Sequence, residues 1–184
     1  LLSVYRATNP LNFKECLNSI KRQNISAFSV LVIFDGMVAP ELFTILAEFE
    51  TVFDLKILEL DENQGLALAL NHGLQEVKTK YVTRIDCDDI MQSDRLSVQL
   101  QYLKAHPEVS AVGSNVDVVN SQSGFIERKR IVPEKPERSL SAKYLTPTNH
   151  PSVTFRVSDV VAVGGYPNFR KAQERALWCT LMKN

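Results

Sequence analysis

The chain has 184 residues, with 21 Lys+Arg against 21 Asp+Glu, and 45% of its residues are hydrophobic. This composition predicts one compact domain and excludes collagen-like, low-complexity and disordered chains. A formal net charge of zero gives no global attraction to nucleic acid or to an anionic membrane. The longest purely apolar run, residues 30–34, is far shorter than the ~20 residues that span a bilayer.

The first half of the chain alternates short apolar runs with helical periods. The pattern predicts strands near residues 2–5, 29–34, 55–60 and 81–85, separated by amphipathic helices near residues 12–23, 42–49 and 66–77. Four strands alternating with three helices predict an α/β domain with right-handed crossovers. Such sheets bind ligands at the carboxyl ends of their strands, where Asp35 and Asp86 lie.

The second half of the chain is predicted to extend the same sheet. A helix is expected over residues 93–106 and another over 172–182, with strands near residues 109–113, 116–119, 125–132 and 153–156. Residues 121–124 are typical of a hairpin turn, and the charged, proline-bearing residues 133–139 predict an exposed loop. No repeat or clear domain linker is visible in the sequence.

Three carboxylates follow the fourth predicted strand within four residues, at Asp86, Asp88 and Asp89. Their mutual repulsion and loss of solvation are costly unless a cation compensates them. Oxygen ligands of this kind suit Mg²⁺ or Mn²⁺, with substrate phosphates completing the coordination shell. The alternative is that Asp88 or Asp89 simply caps the next helix.

Several short motifs follow one another along the chain: Asp35-Gly36, Asn63-Gln64-Gly65-Leu66, Arg84-Ile85-Asp86-Cys87-Asp88-Asp89, His150-Pro151-Ser152-Val153, Gly164-Gly165-Tyr166 and Leu177-Trp178. In this order they resemble the family 2 glycosyltransferases of the GT-A fold, in particular the bacterial enzymes that build surface polysaccharides. The resemblance implies a single Rossmann-like α/β/α sandwich with a mixed central sheet, in which residues 1–106 bind the nucleotide sugar and residues 107–184 lie on the acceptor side of a C-terminally truncated catalytic domain.

The same resemblance implies which residues hold the nucleotide sugar. The end of the first strand and the aspartate after the second strand are expected to hold the base, and two residues of the following loop run beside the nucleotide. The residues at these positions are Ser3, Val4, Tyr5, Asp35, Asn63 and Gly65. A carboxylate suits the base site because it can accept from the N3–H of uracil or the N–H edge of guanine.

The catalytic roles are also implied by the resemblance. Asp86 is expected to face the ribose or donor sugar, and Asp88 to coordinate Mn²⁺ or Mg²⁺ between the two phosphates. Glu174 occupies the position of the base that deprotonates the acceptor hydroxyl in an inverting transfer. His150 is expected near the diphosphate, the metal or the acceptor, and Trp178 on the acceptor side; the alternative for both is a structural place in the core, which is the more usual one for a lone histidine and for an aromatic residue on a helix.

The implied partners are a nucleoside-diphosphate sugar, with a UDP-sugar favoured, and a saccharide or lipid-linked acceptor. Nucleic acid is not expected as a partner. Cys16, Cys87 and Cys179 form no CxxC pair, and no signal pattern follows Leu1, so we expect a cytoplasmic protein. Peripheral contact with the inner face of the membrane would come through sequence outside this chain.

Two other functions are compatible with parts of the sequence. Arg175 and Ala176 replace the aromatic and acidic residues usual in the family, which leaves open a non-catalytic domain that only binds nucleotide sugars. An Asp-x-Asp pair at a strand end is also a feature of Mg²⁺-dependent phosphatases of the haloacid-dehalogenase type. Those enzymes carry their nucleophile on the first strand, whereas Asp86 follows the fourth.

Overall fold

Strands and helices alternate along the computed structural model, which describes residues 1–120, 123–134, 147–169 and 172–182. The strands are β1 (Leu2–Val4), β2 (Ser29–Asp35), β3 (Asp54–Leu60), β4 (Tyr81–Thr83), β5 (Ala111–Val112), β6 (Val116–Val119), β7 (Ile126–Arg130) and β8 (Thr154–Arg156). The helices are α1 (Pro10–Lys21), α2 (Pro40–Ala47), α3 (Leu66–Glu76), α4 (Arg95–Ala105), α5 (Val157–Ala162) and α6 (Gln173–Leu181).

The central sheet is mixed and runs in the order β3-β2-β1-β4-β8-β5. Strands β1, β2 and β3 are parallel, while β8 is antiparallel to both β4 and β5. Leu1 joins the two ladders, because its nitrogen donates to the Thr83 carbonyl at 2.9 Å and its carbonyl accepts from the Ile85 N–H at 3.3 Å. The second half of the chain therefore extends the sheet formed by the first half.

Helices cover both faces of the sheet, which gives three layers. Strand β2 is buried on both faces as predicted, because Val32 and Phe34 pack on one side and Ile33 packs on the other. The first side holds α1 and α2, with Phe13 and Leu42 fully buried. The second side holds α3, α5 and α6, whose buried side chains are Leu70, Val160, Leu177 and Trp178.

The second half of the chain departs from the prediction in one element. The β-branched sequence of residues 157–163 carries no clear helical stripe, yet Val157–Ala162 forms the short helix α5. The predicted turn at Ser121 and Gln122 and most of the predicted loop at residues 133–139 lie outside the described residues.

Strands β6 and β7 form a separate hairpin beside the sheet. Every residue of β7 is exposed, and the neighbouring side chains of Phe125 and Ile131 are 77% and 76% exposed. Neither side chain belongs to the two buried clusters. No helix within the described part of the chain is both long and apolar enough to cross a membrane.

Candidate nucleotide-sugar site

A cleft of about 630 Å³ opens at the carboxyl ends of β1 and β2, beside the segment that follows β4. This is the edge at which parallel α/β sheets bind their ligands. The fold thus brings together residues that lie more than eighty positions apart in the chain. The lining of the cleft includes seven residues that the sequence predicted for the site: Ser3, Tyr5, Asp35, Asn63, Gly65, Asp86 and Asp88.

Val4 differs from the prediction in the direction of its side chain. Successive side chains of a strand point to opposite faces, so Ser3 and Tyr5 can face the cleft only if Val4 does not. The Val4 side chain is fully buried in the core, beside its register partner Phe34. Val4 as a whole is 0% exposed and does not line the cleft within the described residues.

Asp35 lies at the end of β2 and is only 4% exposed. Its carboxylate accepts from the Gln64 N–H at 2.7 Å and from the Gly65 N–H at 3.0 Å. The Asn63 side chain donates to the same carboxylate at 3.0 Å and to the Asp35 carbonyl at 3.1 Å. The folded chain itself therefore supplies partners for Asp35, and these bonds hold the loop that forms one wall of the cleft.

Two glycines allow this loop to approach β2 so closely. Gly36 has a φ of +77°, and a Cβ at this position would lie 2.5 Å from the Asn63 nitrogen. Gly65 has φ +86° and ψ 159° immediately before α3, a backbone region that is essentially restricted to glycine. The Asp35-Gly36 and Asn63-Gln64-Gly65 motifs thus form one packed unit.

The second wall of the cleft carries the aspartate cluster. The Asp86 side chain is 38% exposed and forms an ion pair with the Nη2 atom of Arg84. Asp88 is exposed, while the side chain of Cys87 between them is directed into the core. The segment continues as a turn, in which the Asp89 N–H donates to the Asp86 carbonyl at 3.2 Å. Two carboxylates are therefore presented to the cleft.

The helix-cap alternative for this cluster is wrong. Helix α4 begins at Arg95, and its N-cap is Asp94, several residues beyond the cluster. Burial and the charges of Asp86 and Asp88 raise the pKa of Asp89 to about 6. Because neither Asp88 nor Asp89 caps a helix, the capping role does not account for the acidic cluster.

The donor chemistry of this wall fits a hard divalent cation. Mg²⁺ is commonly held by one or two carboxylates together with substrate phosphates, and both Asp86 and Asp88 border the same cleft. Within the described residues, no group of three or more His, Cys, Asp and Glu side chains is arranged to hold a metal. These residues can thus supply part of a coordination shell that a phosphate ligand would complete.

His150 and Trp178 lie in the interior next to the cleft rather than in its described lining. The His150 Nε2 atom shares a hydrogen bond of 3.2 Å with the Tyr166 hydroxyl, and the ring of Trp178 lies 6.0 Å from that of His150. Burial, with a further contribution from Arg84, lowers the pKa of His150 to about 2. His150 is therefore a neutral imidazole, and the cluster is an aromatic part of the core.

Glu174 lies in the first turn of α6 and is half-buried. Its negative charge, like that of Asp86, raises the pKa of the buried Tyr166 hydroxyl, for which burial is the main cause. The Tyr166 hydroxyl is thus close enough to both carboxylates for their charges to change its pKa. Glu174 is not part of the cleft lining within the described residues.

Arg84, the largest fully buried side chain of the described residues, was given no role from the sequence. Arg84 and Asp86 carry opposite charges two positions apart in an extended segment, directly after β4, and form an ion pair. The charge pattern was the available signal, since side chains two positions apart in extended backbone point to the same side.

The three-layer fold and the acidic cleft at its strand ends define a class of α/β proteins that bind ligands at the carboxyl edge of the sheet. Residues 2–162 match the model of the glycosyl transferase family 2. The chain belongs to this family and is a glycosyltransferase. The resemblance seen in the motifs is confirmed, and family membership decides against the phosphatase alternative.

Curated relatives match almost the whole chain. The chain is 33% identical over 183 residues to an uncharacterized glycosyltransferase of Haemophilus influenzae, a match that covers 99% of this chain and 68% of the relative. It is 31% identical over 182 residues to the amylovoran biosynthesis glycosyltransferase AmsE of Erwinia amylovora, with the same coverage. A UDP-Gal:alpha-D-GlcNAc-diphosphoundecaprenol beta-1,3-galactosyltransferase of Escherichia coli is 31% identical over 187 residues, covering 100% of this chain and 67% of the relative.

Solved structures share the fold. The structure of S. aureus TarS 1-349 in complex with UDP superimposes with a TM-score of 0.76 at 18% identity, over 98% of this chain. The mannosyltransferase PcManGT of Pyrobaculum calidifontis, in complex with GDP-Man and Mn²⁺, gives a TM-score of 0.73 at 21% identity, also over 98% of this chain. The chain spans 54% and 50% of these two proteins. The predicted GT-A fold is confirmed.

Proposed function

We propose that this chain is the catalytic domain of a metal-dependent, inverting glycosyltransferase that uses a nucleoside-diphosphate sugar, with a UDP-sugar favoured. The observation that carries the proposal is the cleft itself, in which the Asp35 loop faces the exposed Asp88 and half-exposed Asp86. One wall offers a hydrogen-bonded recess for a base, and the other offers carboxylates for a cation. A nucleoside diphosphate has both of the matching groups.

The nucleotide is held by the wall formed by β1, β2 and the loop before α3. Tyr5 is 46% exposed at the end of β1 and can pack against the base. The Asp35 oxygens can accept one further N–H from a base that carries a donor. Asn63 and Gly65 keep the loop in place through their bonds to Asp35.

Asp88 holds the divalent cation, Mn²⁺ or Mg²⁺, and Asp86 accepts hydroxyl groups of the ribose or donor sugar. When it is bound, the cation supplies positive charge to the diphosphate as the sugar leaves. This arrangement lets a chain with no net charge bind a diphosphate without a basic surface.

Glu174 serves as the general base. Its carboxylate removes the proton of the acceptor hydroxyl, which attacks the anomeric carbon from the face opposite the diphosphate, so the configuration inverts. Its place in the first turn of α6 supports this role, because the charges of Glu174 and Asp86 both act on the Tyr166 hydroxyl, so the two carboxylates lie in the same region of the molecule. His150 and Trp178 provide the rigid interior on the acceptor side.

The relatives support a role in the synthesis of a bacterial surface polysaccharide. The name of one relative specifies amylovoran biosynthesis, and the name of another specifies a UDP-galactose donor with a lipid-linked diphosphate acceptor. We extend the general chemistry to this chain, with a saccharide or lipid-linked acceptor met at the cytoplasmic face of the membrane.

Calorimetric titration tests the nucleotide and metal assignments. UDP, GDP and dTDP are each titrated into the chain with and without Mn²⁺, and we expect UDP to bind most tightly and only with the cation present. Binding that does not depend on Mn²⁺, or no binding of any of the three, would contradict the proposal.

Hydrolysis of the donor sugar tests the base, because water can replace the acceptor. Glu174→Gln should lower the rate by about 100-fold or more, the size typical of a lost general base. Thr180→Ser, on the exposed side of the same helix, is the matched control. Unchanged turnover of Glu174→Gln would remove Glu174 from the mechanism and reopen a role in binding alone.

A further inference from the structure

The buried position of Arg84 is energetically unfavourable for an arginine side chain. Its side chain is 1% exposed, and its Nε and Nη1 atoms find no hydrogen-bond partner within the described residues. Buried polar groups are nearly always paired, and each unpaired buried donor destabilises the fold. A second cation lies nearby, because the Arg95 Nη2 atom donates to the Arg84 carbonyl at 2.8 Å. The fold alone does not account for an arginine here.

Arg156 shows what an arginine that serves the fold looks like. It is 6% exposed, and every nitrogen of its guanidinium has an acceptor. Its Nε donates to the Val109 carbonyl at 2.9 Å, and its Nη1 to the Tyr81 hydroxyl at 3.1 Å. Its Nη2 donates to the carbonyls of Leu103 and His106. The comparison separates a fully bonded arginine from one that has a single partner.

The partner that Arg84 has within the described residues borders the cleft. The Nη2 atom of Arg84 pairs with the Oδ1 atom of Asp86, whose carboxylate is 38% exposed and lines the cleft. Asp88, two residues further on, is exposed. The two aspartates therefore differ, because Asp86 forms an ion pair with a guanidinium and Asp88 forms none among the described side chains.

We propose that Arg84 is a positioning residue, which ties one carboxylate oxygen of Asp86 and so reserves this residue for the hydroxyls of the donor, leaving the cation to Asp88. The inference rests on the proposed function, since it assumes a cation and a nucleotide sugar in this cleft. Without Arg84, the freed Asp86 becomes a second ligand for the cation and is no longer held for the donor.

This role predicts that Arg84→Met binds Mn²⁺ more tightly but binds the donor sugar more weakly. We expect Mn²⁺ alone, followed by electron paramagnetic resonance, to bind three- to tenfold more tightly than to the wild type. Affinity for UDP-galactose or UDP-glucose in the presence of Mn²⁺, measured by calorimetry, should fall about tenfold. The urea midpoint should not fall, because a methionine buries no unpaired donors. Arg84→Lys, which keeps the charge, should recover part of the donor affinity.

A double-mutant cycle with Asp86→Asn separates positioning from the loss of a charge. If Arg84 acts through Asp86, Arg84→Met should not tighten Mn²⁺ binding in the Asp86→Asn background. If the tightening persists there, the charge alone is responsible and the inference is overturned. Arg156→Lys is the matched structural control and should lower the urea midpoint without changing Mn²⁺ affinity.

A purely structural Arg84 gives a different result. In that case Arg84→Met unfolds more easily or fails to fold, and Arg84→Lys weakens Mn²⁺ and UDP-sugar binding together. Either outcome overturns the inference while the wild type still binds its nucleotide. A wild type that binds neither Mn²⁺ with UDP nor any UDP-sugar would overturn the proposed function first, and this inference with it.

Discussion

Asp35 and Asp88 border the same cleft from different strand ends, yet their surroundings are opposite. Asp35 is 4% exposed and accepts three hydrogen bonds from the loop before α3, whereas Asp88 is exposed at the other wall. The first carboxylate is hydrogen-bonded by the fold, shapes the site and keeps one acceptor position for a base. The second accepts no hydrogen bond within the described residues, so its oxygens are open to a ligand. The buried aspartate thus contributes to stability as well as to binding, while the exposed one contributes mainly to binding.

The largest effect on activity is expected at Asp88, on the cleft wall that carries the aspartate cluster. Asp88→Asn removes the charge that holds the cation, so the rate of sugar transfer or donor hydrolysis should fall about 100- to 1,000-fold, the range seen when one electrostatic stabiliser is lost. The urea midpoint should stay within experimental error because Asp88 is exposed. Asp94→Asn, at the N-cap of α4, is the control. A rate within threefold of the wild type would contradict the role of Asp88.

Gly36→Ala, on the cleft wall formed by the Asp35 loop, should lower the stability of the fold. Its Cβ would meet the Asn63 nitrogen at 2.5 Å, and the φ of +77° adds backbone strain. Together these effects should lower the free energy of unfolding by about 3 kcal/mol. Gly124→Ala is the matched control, since its φ is +72° but nothing lies within 4 Å of the added Cβ. Equal losses in urea denaturation of the two variants would contradict the packed unit.

Asp35→Ala measures how much the buried carboxylate contributes to stability. The variant leaves the Asn63 amide, the Gln64 N–H and the Gly65 N–H without their acceptor. Because water can reach part of this loop, the expected loss is about 2 kcal/mol rather than the sum for three fully buried donors. Urea denaturation measures it, with Asp54→Ala on the exposed start of β3 as control. A loss below 0.5 kcal/mol, about the size of an ordinary surface change, would show that the loop does not depend on Asp35.

The smallest effect concerns His150 in the interior and the dependence of stability on pH. The pKa of His150 is lowered to about 2 in the folded chain, so the unfolded chain takes up a proton near pH 6.5 and the folded chain does not. Stability is therefore fully present above pH 6.5 and falls by about 1 kcal/mol for each pH unit below it. His150→Gln should remove this part of the slope in urea denaturation between pH 7.5 and 4.5. Parallel slopes for the two proteins would show that His150 is not the cause.

The sheet and the cleft followed from local patterns. The continuous apolar run of β2 predicted a strand buried on both faces, and the position of Asp35 and Asp86 after strands predicted that they would share one edge. The family motifs added Ser3, Tyr5, Asn63 and Gly65, whereas the segment from Ala7 to Asn12, which also lines the cleft, was not predicted. Here the sequence carries the information, because the carboxyl ends of parallel strands lie at the same edge of a sheet, where such folds bind their ligands.

Other features depended on geometry that the motifs do not contain. The inward direction of Val4 follows from strand alternation, which the motif assignment overlooked. The unpaired donors of Arg84 could not be predicted, because they depend on acceptors that only the packed tertiary structure could supply. Helix α5 was missed because its β-branched residues favour a strand locally, and packing of Val160 against the core overrides that preference.

The β6–β7 hairpin has a consequence for the behaviour of the chain at high concentration. Phe125, Ile126 and Ile131 expose apolar area on a ribbon whose two strands pair with no third strand within the described residues. Such ribbons can pair with one another and lead to self-association. Since these side chains belong to neither buried cluster and do not line the cleft, polar replacements there can improve solubility and crystal quality while leaving the site intact.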